Sequence, residues 1–247
     1  MPGTLRTASL ASATAMALVA LGPFDLPTSG AHDGAGPTGR ISGRVYVGDP
    51  VKTRKPRFRL YTDYGPGSVP PPQIDSASPV RRVVVYLDSV PSESHAGHPS
   101  GTGQTMEQRN ERFVPHVLPV LVGTPVGFPN RDPFFHNVFS LSGAKSFDLG
   151  RYAQNESRSV RFDKPGVVQV FCHIHSDMRA YIVVLDNPFF TVPDENGRFT
   201  LDGVPPGRYR LVGWQERAHP VTQMVTVEAG STVVMDITIP DAPEAEH

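Results

Sequence analysis

Val167-Val168-Gln169-Val170-Phe171-Cys172-His173-Ile174-His175-Ser176-Asp177-Met178-Arg179-Ala180-Tyr181-Ile182-Val183-Val184-Leu185 is the stretch on which the fold turns. Two runs of β-branched and aromatic residues, each of strand length, flank a polar heptapeptide. The reading is strand, short loop, strand. The same signature recurs upstream at Val117-Leu118-Pro119-Val120-Leu121-Val122, Val126-Gly127-Phe128-Pro129-Asn130, His136-Asn137-Val138-Phe139-Ser140 and Ser159-Val160-Arg161-Phe162. Turn residues separate these runs at the intervals of a β-sandwich.

Composition agrees with an all-β protein. The chain has 247 residues with 26 Pro and 23 Gly, and its body lacks a sustained period-3.6 apolar pattern, so short strands joined by turns are expected instead of helices. Its 23 basic and 24 acidic residues give a net charge of −1, too balanced to hold a phosphate backbone, which argues against a nucleic-acid partner. A single cysteine, Cys172, excludes an internal disulfide.

Residues 1–31 carry Arg6, an apolar core from Leu10 to Leu21 and a small-residue end at Ser29-Gly30-Ala31, the layout of a secretory signal peptide and too short to span a bilayer. A periplasmic or extracellular protein without a membrane span is expected. In an oxidising compartment a free thiol needs burial or a bound partner, so Cys172 calls for an explanation. Residues 32–79 open with the alternating run Ile41 to Val47 and continue through a basic cluster (Lys52, Arg54, Lys55, Arg57, Arg59) into Pro70-Pro71-Pro72, an extended segment. Residues 80–186 form the first domain, in which Val83 to Leu87 reads as a central strand. Residues 187–241 form a second β-domain, with Asn196-Gly197 closing a hairpin between Phe190-Thr191-Val192 and Phe199-Thr200-Leu201, and residues 242–247 are a tail.

The heptapeptide Cys172 to Met178 offers a thiolate, an imidazole and a thioether at i, i+3 and i+6. A loop between two strands can fold such a segment around one point. A second imidazole is available from His136, 36 residues earlier at the start of its own strand. Two His, one Cys and a weak axial Met are the donor set of a blue-copper site, whose soft sulfurs favour Cu(I) while imidazole suits both states. Taken singly, Cys172 reads as a small buried hydrophobe and Met178 as core filler; it is their joint spacing that points to a metal. Zinc is the competing ion, but it does not ordinarily take a thioether.

These residues resemble the cupredoxins. The likeness runs from Phe113 to Leu185 through Val122-Gly123-x-x-Val126-x-Phe128-x-Asn130, His136-Asn137-Val138, Gly166-x-Val168 and Cys172-x-x-His175-x-x-Met178. The loop spacing looks most like the amicyanin type within a plastocyanin-like group, and Phe128-Pro129-Asn130-Arg131-Asp132 looks like the methylamine-utilisation type of cupredoxin-domain protein. Residues 187–240 are similar to a carboxypeptidase-regulatory-like (transthyretin-like) β-domain in Asn196-Gly197-Arg198-Phe199 and Pro205-Pro206-Gly207-Arg208-Tyr209. That module is short, and Ile41 to Val47 with Val83 to Leu87 look like its missing opening strands, which would make it discontinuous.

The resemblance implies one type 1 copper with His136, Cys172 and His175 as equatorial ligands and Met178 as the axial one. Asn137 would stand behind them, tying the two ligand-bearing loops together and donating toward the thiolate. His175 would be the exposed ligand through which an electron leaves. His173 should point outward, because neighbouring strand residues face opposite sides, and His116 should be structural or exposed. The function expected is one-electron transfer to a protein redox partner, without catalysis, since four protein ligands leave no open position for a substrate. The alternative is a non-redox module that binds or delivers copper or serves contacts in the cell envelope. Nothing in the sequence fixes an oligomeric state.

Overall fold

A computed structural model describes residues 37–48, 78–91 and 103–240, together with Gly3. Residues 1–31, read above as a signal peptide, lie outside the described residues apart from Gly3, as do the basic and Pro-rich segment, His32, His95, His98 and residues 242–247. The strands are β1 (Gly39–Val47), β2 (Val84–Asp88), β3 (Gln104–Thr105), β4 (Glu107–Gln108), β5 (Phe113–Val114), β6 (Val117–Leu121), β7 (Thr124–Pro129), β8 (His136–Ser142) and β9 (Lys145–Tyr152). They continue with β10 (Ser157–Phe162), β11 (Gly166–Phe171), β12 (Arg179–Leu185), β13 (Phe190–Thr191), β14 (Arg198–Val204), β15 (Gly207–Trp214), β16 (Val221–Val227), β17 (Thr232–Val234) and β18 (Ile237–Ile239). The protein is all-β: the only helical element among the described residues is a single 3-10 turn, Pro79–Arg82.

The first sandwich sets the five-stranded sheet β6-β12-β11-β8-β9 against β10-β7-β3. Its core holds Phe128, Val138, Phe162, Val168, Val170, Ala180, Ile182 and Val184, with Cys172 and Met178 at one edge. Alternate residues of β11 and β12 supply this core, as period-2 side-chain alternation requires.

The second sandwich sets β14-β1-β17, with β18 also on β1, against β13-β2-β15-β16. Two of its strands come from ahead of the first sandwich: β1 pairs with β14, β17 and β18, and β2 pairs with β13 and β15. Val84 to Asp88, inside the bounds 80–186 read for the first domain, therefore lies in the second sandwich together with Gly39 to Val47, the arrangement in which these two runs are the opening strands of a discontinuous second module. Gly43 sits where β1 passes closest to a neighbour, since a Cβ there would lie 1.9 Å from the Met235 carbonyl oxygen. The turn at Asn196-Gly197 is present, with the Asp194 carboxylate accepting the Asn196 and Arg198 N–H groups, yet it closes no hairpin. β13 joins β2 whereas β14 joins β1 in the facing sheet, so this turn carries the chain across the sandwich.

The two continuous apolar runs have one explanation. In β12, Ala180, Ile182 and Val184 enter the first core, while Val183 and Leu185 pack with Val84 and Val117 in a third cluster bordered by Tyr86, Tyr181, Phe190 and Trp214. From the other side, Val83, Val85 and Leu87 enter the second core and Val84 enters the shared cluster. A strand buried on both faces loses polar alternation. Here β2 and β12 do so because the sandwiches pack against each other through them.

Candidate metal centre

β8 and β11 are antiparallel neighbours, with Phe139 opposite Phe171, so the start of β8 and the end of β11 meet at one end of the sheet. His136 is the first residue of β8, and Cys172 follows β11 directly. The loop then returns to β12, with the Cys172 N–H bonding the Met178 carbonyl at 3.2 Å and the Met178 N–H bonding the His175 carbonyl at 3.0 Å. These bonds curl the heptapeptide and turn His175 back toward Cys172.

His136, Cys172 and His175 come together as a cluster able to hold a metal ion. Sγ of Cys172 is 3.8 Å from Nδ1 of His136 and 3.8 Å from Nδ1 of His175, and the two Nδ1 atoms are 3.1 Å apart. A triangle with these edges has its centre about 2.1 Å from each corner, close to ordinary metal–nitrogen and metal–sulfur bond lengths. One soft sulfur and two imidazoles suit copper or zinc by donor chemistry. The residues fit a bound metal.

His136 is fully buried and Cys172 is 4% exposed, whereas His175 is partly open to solvent. Met178 is buried in the core beside Cys172. Burial alone would push the Cys172 thiol up, but hydrogen bonds from His136 and His175 and from the Asn137 and His175 backbone outweigh it and bring the thiol down to about 5. Burial likewise disfavours protonated His136, yet Asp132 and the Cys172 sulfur raise it to about 9. Thiolate and imidazolium are therefore a pair in the metal-free site.

Asn137 ties the loops together, its Oδ1 accepting the His173 N–H at 3.1 Å while its Nδ2 donates to Asp148 at 2.7 Å. The donor directed at the thiol is thus the Asn137 backbone N–H and not its side chain. His173 points outward and stacks flat on Phe139, with ring centroids 3.7 Å apart. His116 is half-buried and reaches Glu216 at 3.3 Å, away from the cluster.

Two contributors went unread in the sequence. The Phe134 ring packs on both histidines, 5.2 Å from His136 and 5.5 Å from His175. Asp132, 4% exposed, lies 2.7 Å from Nε2 of His136. An acid four residues ahead of a candidate ligand carries no geometric meaning outside a helix, and the only local signal was Asn130-x-Asp132, where the Asn130 Oδ1 accepts the Asp132 N–H and shapes the turn.

Among known proteins, part of the chain is similar to a copper-containing nitrite reductase from Thermus scotoductus, at 28% identity over 35% of this chain and 23% of that one, with a TM-score of 0.34. It is also similar to the reduced Cu(I) form of an amicyanin variant, at 24% identity over 41% of this chain and 98% of that one, with a TM-score of 0.32. A purple cupredoxin from Nitrosopumilus maritimus matches at 21% identity over 34% and 99% of the two chains, with a TM-score of 0.30. Residues 186–235 match the family model of polysaccharide lyase family 4, domain II, a different family from the carboxypeptidase-regulatory-like one expected there from the sequence. No curated protein matches the chain.

Proposed function

We propose that this chain is an exported one-electron carrier of the cupredoxin type, with a short amicyanin-like ligand loop and a single type 1 copper. His136, Cys172 and His175 would hold the metal, with Met178, buried in the same core cluster as Cys172, as the fourth and weakest donor. The observation that carries this reading is the convergence of one sulfur and two Nδ1 atoms, from loops 36 residues apart, on a point at bonding distance from all three. Copper bound there would supply one-electron chemistry between Cu(I) and Cu(II).

The chain's own residues prepare for that role. Cys172 is held as a thiolate near neutrality, so the anionic donor is ready. β8, β11 and β12 anchor three sides of the site, and Asn137 bonds the ligand loop to β8, so the donors keep one arrangement. His175, the partly exposed donor, offers the edge at which a protein redox partner would take the electron. Four protein donors leave no position for a substrate, which supports a carrier over an enzyme.

The test is the visible spectrum of the protein from residue 32 onward after addition of Cu(II), beside Cys172→Ser. An intense thiolate-to-copper band that disappears in the variant is expected. A colourless protein, or a weak band indifferent to Cys172, would discard the carrier reading.

A further inference from the structure

His136 meets the donor cluster through Nδ1 alone. Its Nε2 faces Oδ2 of Asp132 at 2.7 Å, and the carboxylate is itself anchored on its far side. Oδ1 accepts the Asn110 backbone N–H at 2.6 Å and Oδ2 accepts the Glu111 N–H at 2.9 Å. These two amides form the tip of the β4–β5 hairpin, which Arg109 and Arg112 close by exchanging backbone hydrogen bonds of 2.9 and 3.2 Å. Asn110 and Glu111 both lie in the left-handed region, with φ of 53° and 55°, as a type I′ turn requires. Glycine is the usual second residue of such a turn, and Glu111 bears a steric cost there that a carboxylate bridging both amides offsets. The hairpin is further fastened to the ligand segment by the Arg131 N–H to the Gln108 carbonyl at 2.8 Å and by Arg131 to Glu107 at 3.3 Å.

We infer that Asp132 is a positioning residue of the metal centre, through which the tip of the 107–114 hairpin sets the orientation and electron density of His136. The inference rests on the copper reading above. With its N–H directed at the carboxylate, Nε2 cannot ligate, so Nδ1, which faces Cys172 and His175, is the nitrogen of His136 that would give up its proton and bind a metal. A buried negative charge one imidazole away from the metal favours the more highly charged oxidation state, so Asp132 holds the reduction potential down.

The experiment uses the full chain loaded with Cu(II), comparing the unaltered protein with Asp132→Asn, Asp132→Glu and Asp177→Asn. The last removes one negative charge from an exposed position on the ligand loop. Band position, midpoint potential and the rate of copper loss to a chelator are read for each. Asp132→Asn is expected to keep the thiolate band, raise the potential more than Asp177→Asn does, and release copper about tenfold faster. Asp132→Glu keeps the charge but displaces the carboxylate by a methylene, so it should shift the potential less while still releasing copper faster. A potential shift in Asp132→Asn no larger than in Asp177→Asn, with an unchanged release rate, overturns the inference. Should Asp132→Asn fail to fold, Asp132→Glu decides alone, and a release rate equal to the parent's overturns it. An unaltered protein without the thiolate band defeats the copper reading and this inference with it, a result visible before any variant is made.

Discussion

Nδ1 of His136 lies 3.1 Å from Nδ1 of His175, although the two residues are 39 positions apart in the chain. Two lone pairs facing at that distance repel, so a proton or a cation belongs between them. Cys172, 3.8 Å from each, makes the same demand, and the metal-free chain meets it by protonating His136.

Copper loading should therefore release protons. His136 keeps its proton up to about pH 9 and the Cys172 thiol loses its own above about pH 5, so near neutrality the expected release from this pair is about one proton per copper. It should fall as pH rises through about 9, where His136 is already neutral, and grow as pH falls through about 5, where the thiol is reprotonated. Calorimetry of copper binding in two buffers of different ionisation enthalpy reads the number directly. Identical heats in both buffers near pH 7 would contradict the ion-paired site.

Met178→Leu should preserve the fold, because Leu nearly conserves the volume of this fully buried side chain. If the thioether is the axial donor, the thiolate band persists with altered intensity and the midpoint potential rises, since the axial ligand tunes the site. An unchanged spectrum and potential would assign Met178 to the core alone.

Asn137→Ala removes the acceptor for the His173 N–H and the donor to Asp148. The expected cost is about 1–2 kcal/mol in chemical denaturation of the metal-free protein, with faster copper loss from a less restrained loop. Unaltered stability and copper retention would mean that β8 and β11 hold the loop without it.

Leu185 and Val84 belong to the cluster that packs the two sandwiches together. Leu185→Ala should cost about 2–4 kcal/mol through lost burial and a residual cavity. Both sandwiches should still melt together, because β2 and β12 each serve the shared cluster as well as their own core. Two resolved transitions in the unaltered protein by calorimetry would show the halves to be energetically independent.

Glu216, with its side chain 2% exposed, is held by His116 at 3.3 Å and Arg82 at 3.4 Å. Burial pushes its carboxyl up, but the His116 hydrogen bond, its own backbone N–H and the electrostatic attraction of His116 and Arg82 leave it below the ordinary value of 4.5. A depressed carboxyl stabilises the fold above its unfolded value, and that contribution is lost as pH falls through the lower folded one. Melting temperature should drop on acidification below about pH 4.5, and Glu216→Gln should flatten this dependence while lowering stability at neutral pH. An identical pH profile in the variant would remove Glu216 from the account.

The strands were legible because side-chain alternation and β-branched runs are local properties: β6, β8, β11 and β12 lie where the sequence places them. The donor types at Cys172, His175 and Met178 were equally local, since a loop of this length returns on itself. The sequence also associated Ile41 to Val47 and Val83 to Leu87 with the second module, but it did not disclose which sheet each flank of Asn196-Gly197 joins. Asn196-Gly197 makes a turn whether its flanks join one sheet or two, and here β13 joins β2 while β14 joins β1.

The sequence by itself determined an all-β chain, a thiol at a strand end and a three-residue rhythm of donors behind it, because these depend on neighbours in the chain. The tertiary structure decided which distant groups meet: β8 beside β11 brings His136 to Cys172, and the tip of the 107–114 hairpin presents two amides to Asp132 behind it. Such meetings follow from strand register and hairpin placement. Those are fixed only when whole faces are buried together, a condition that no local pattern records.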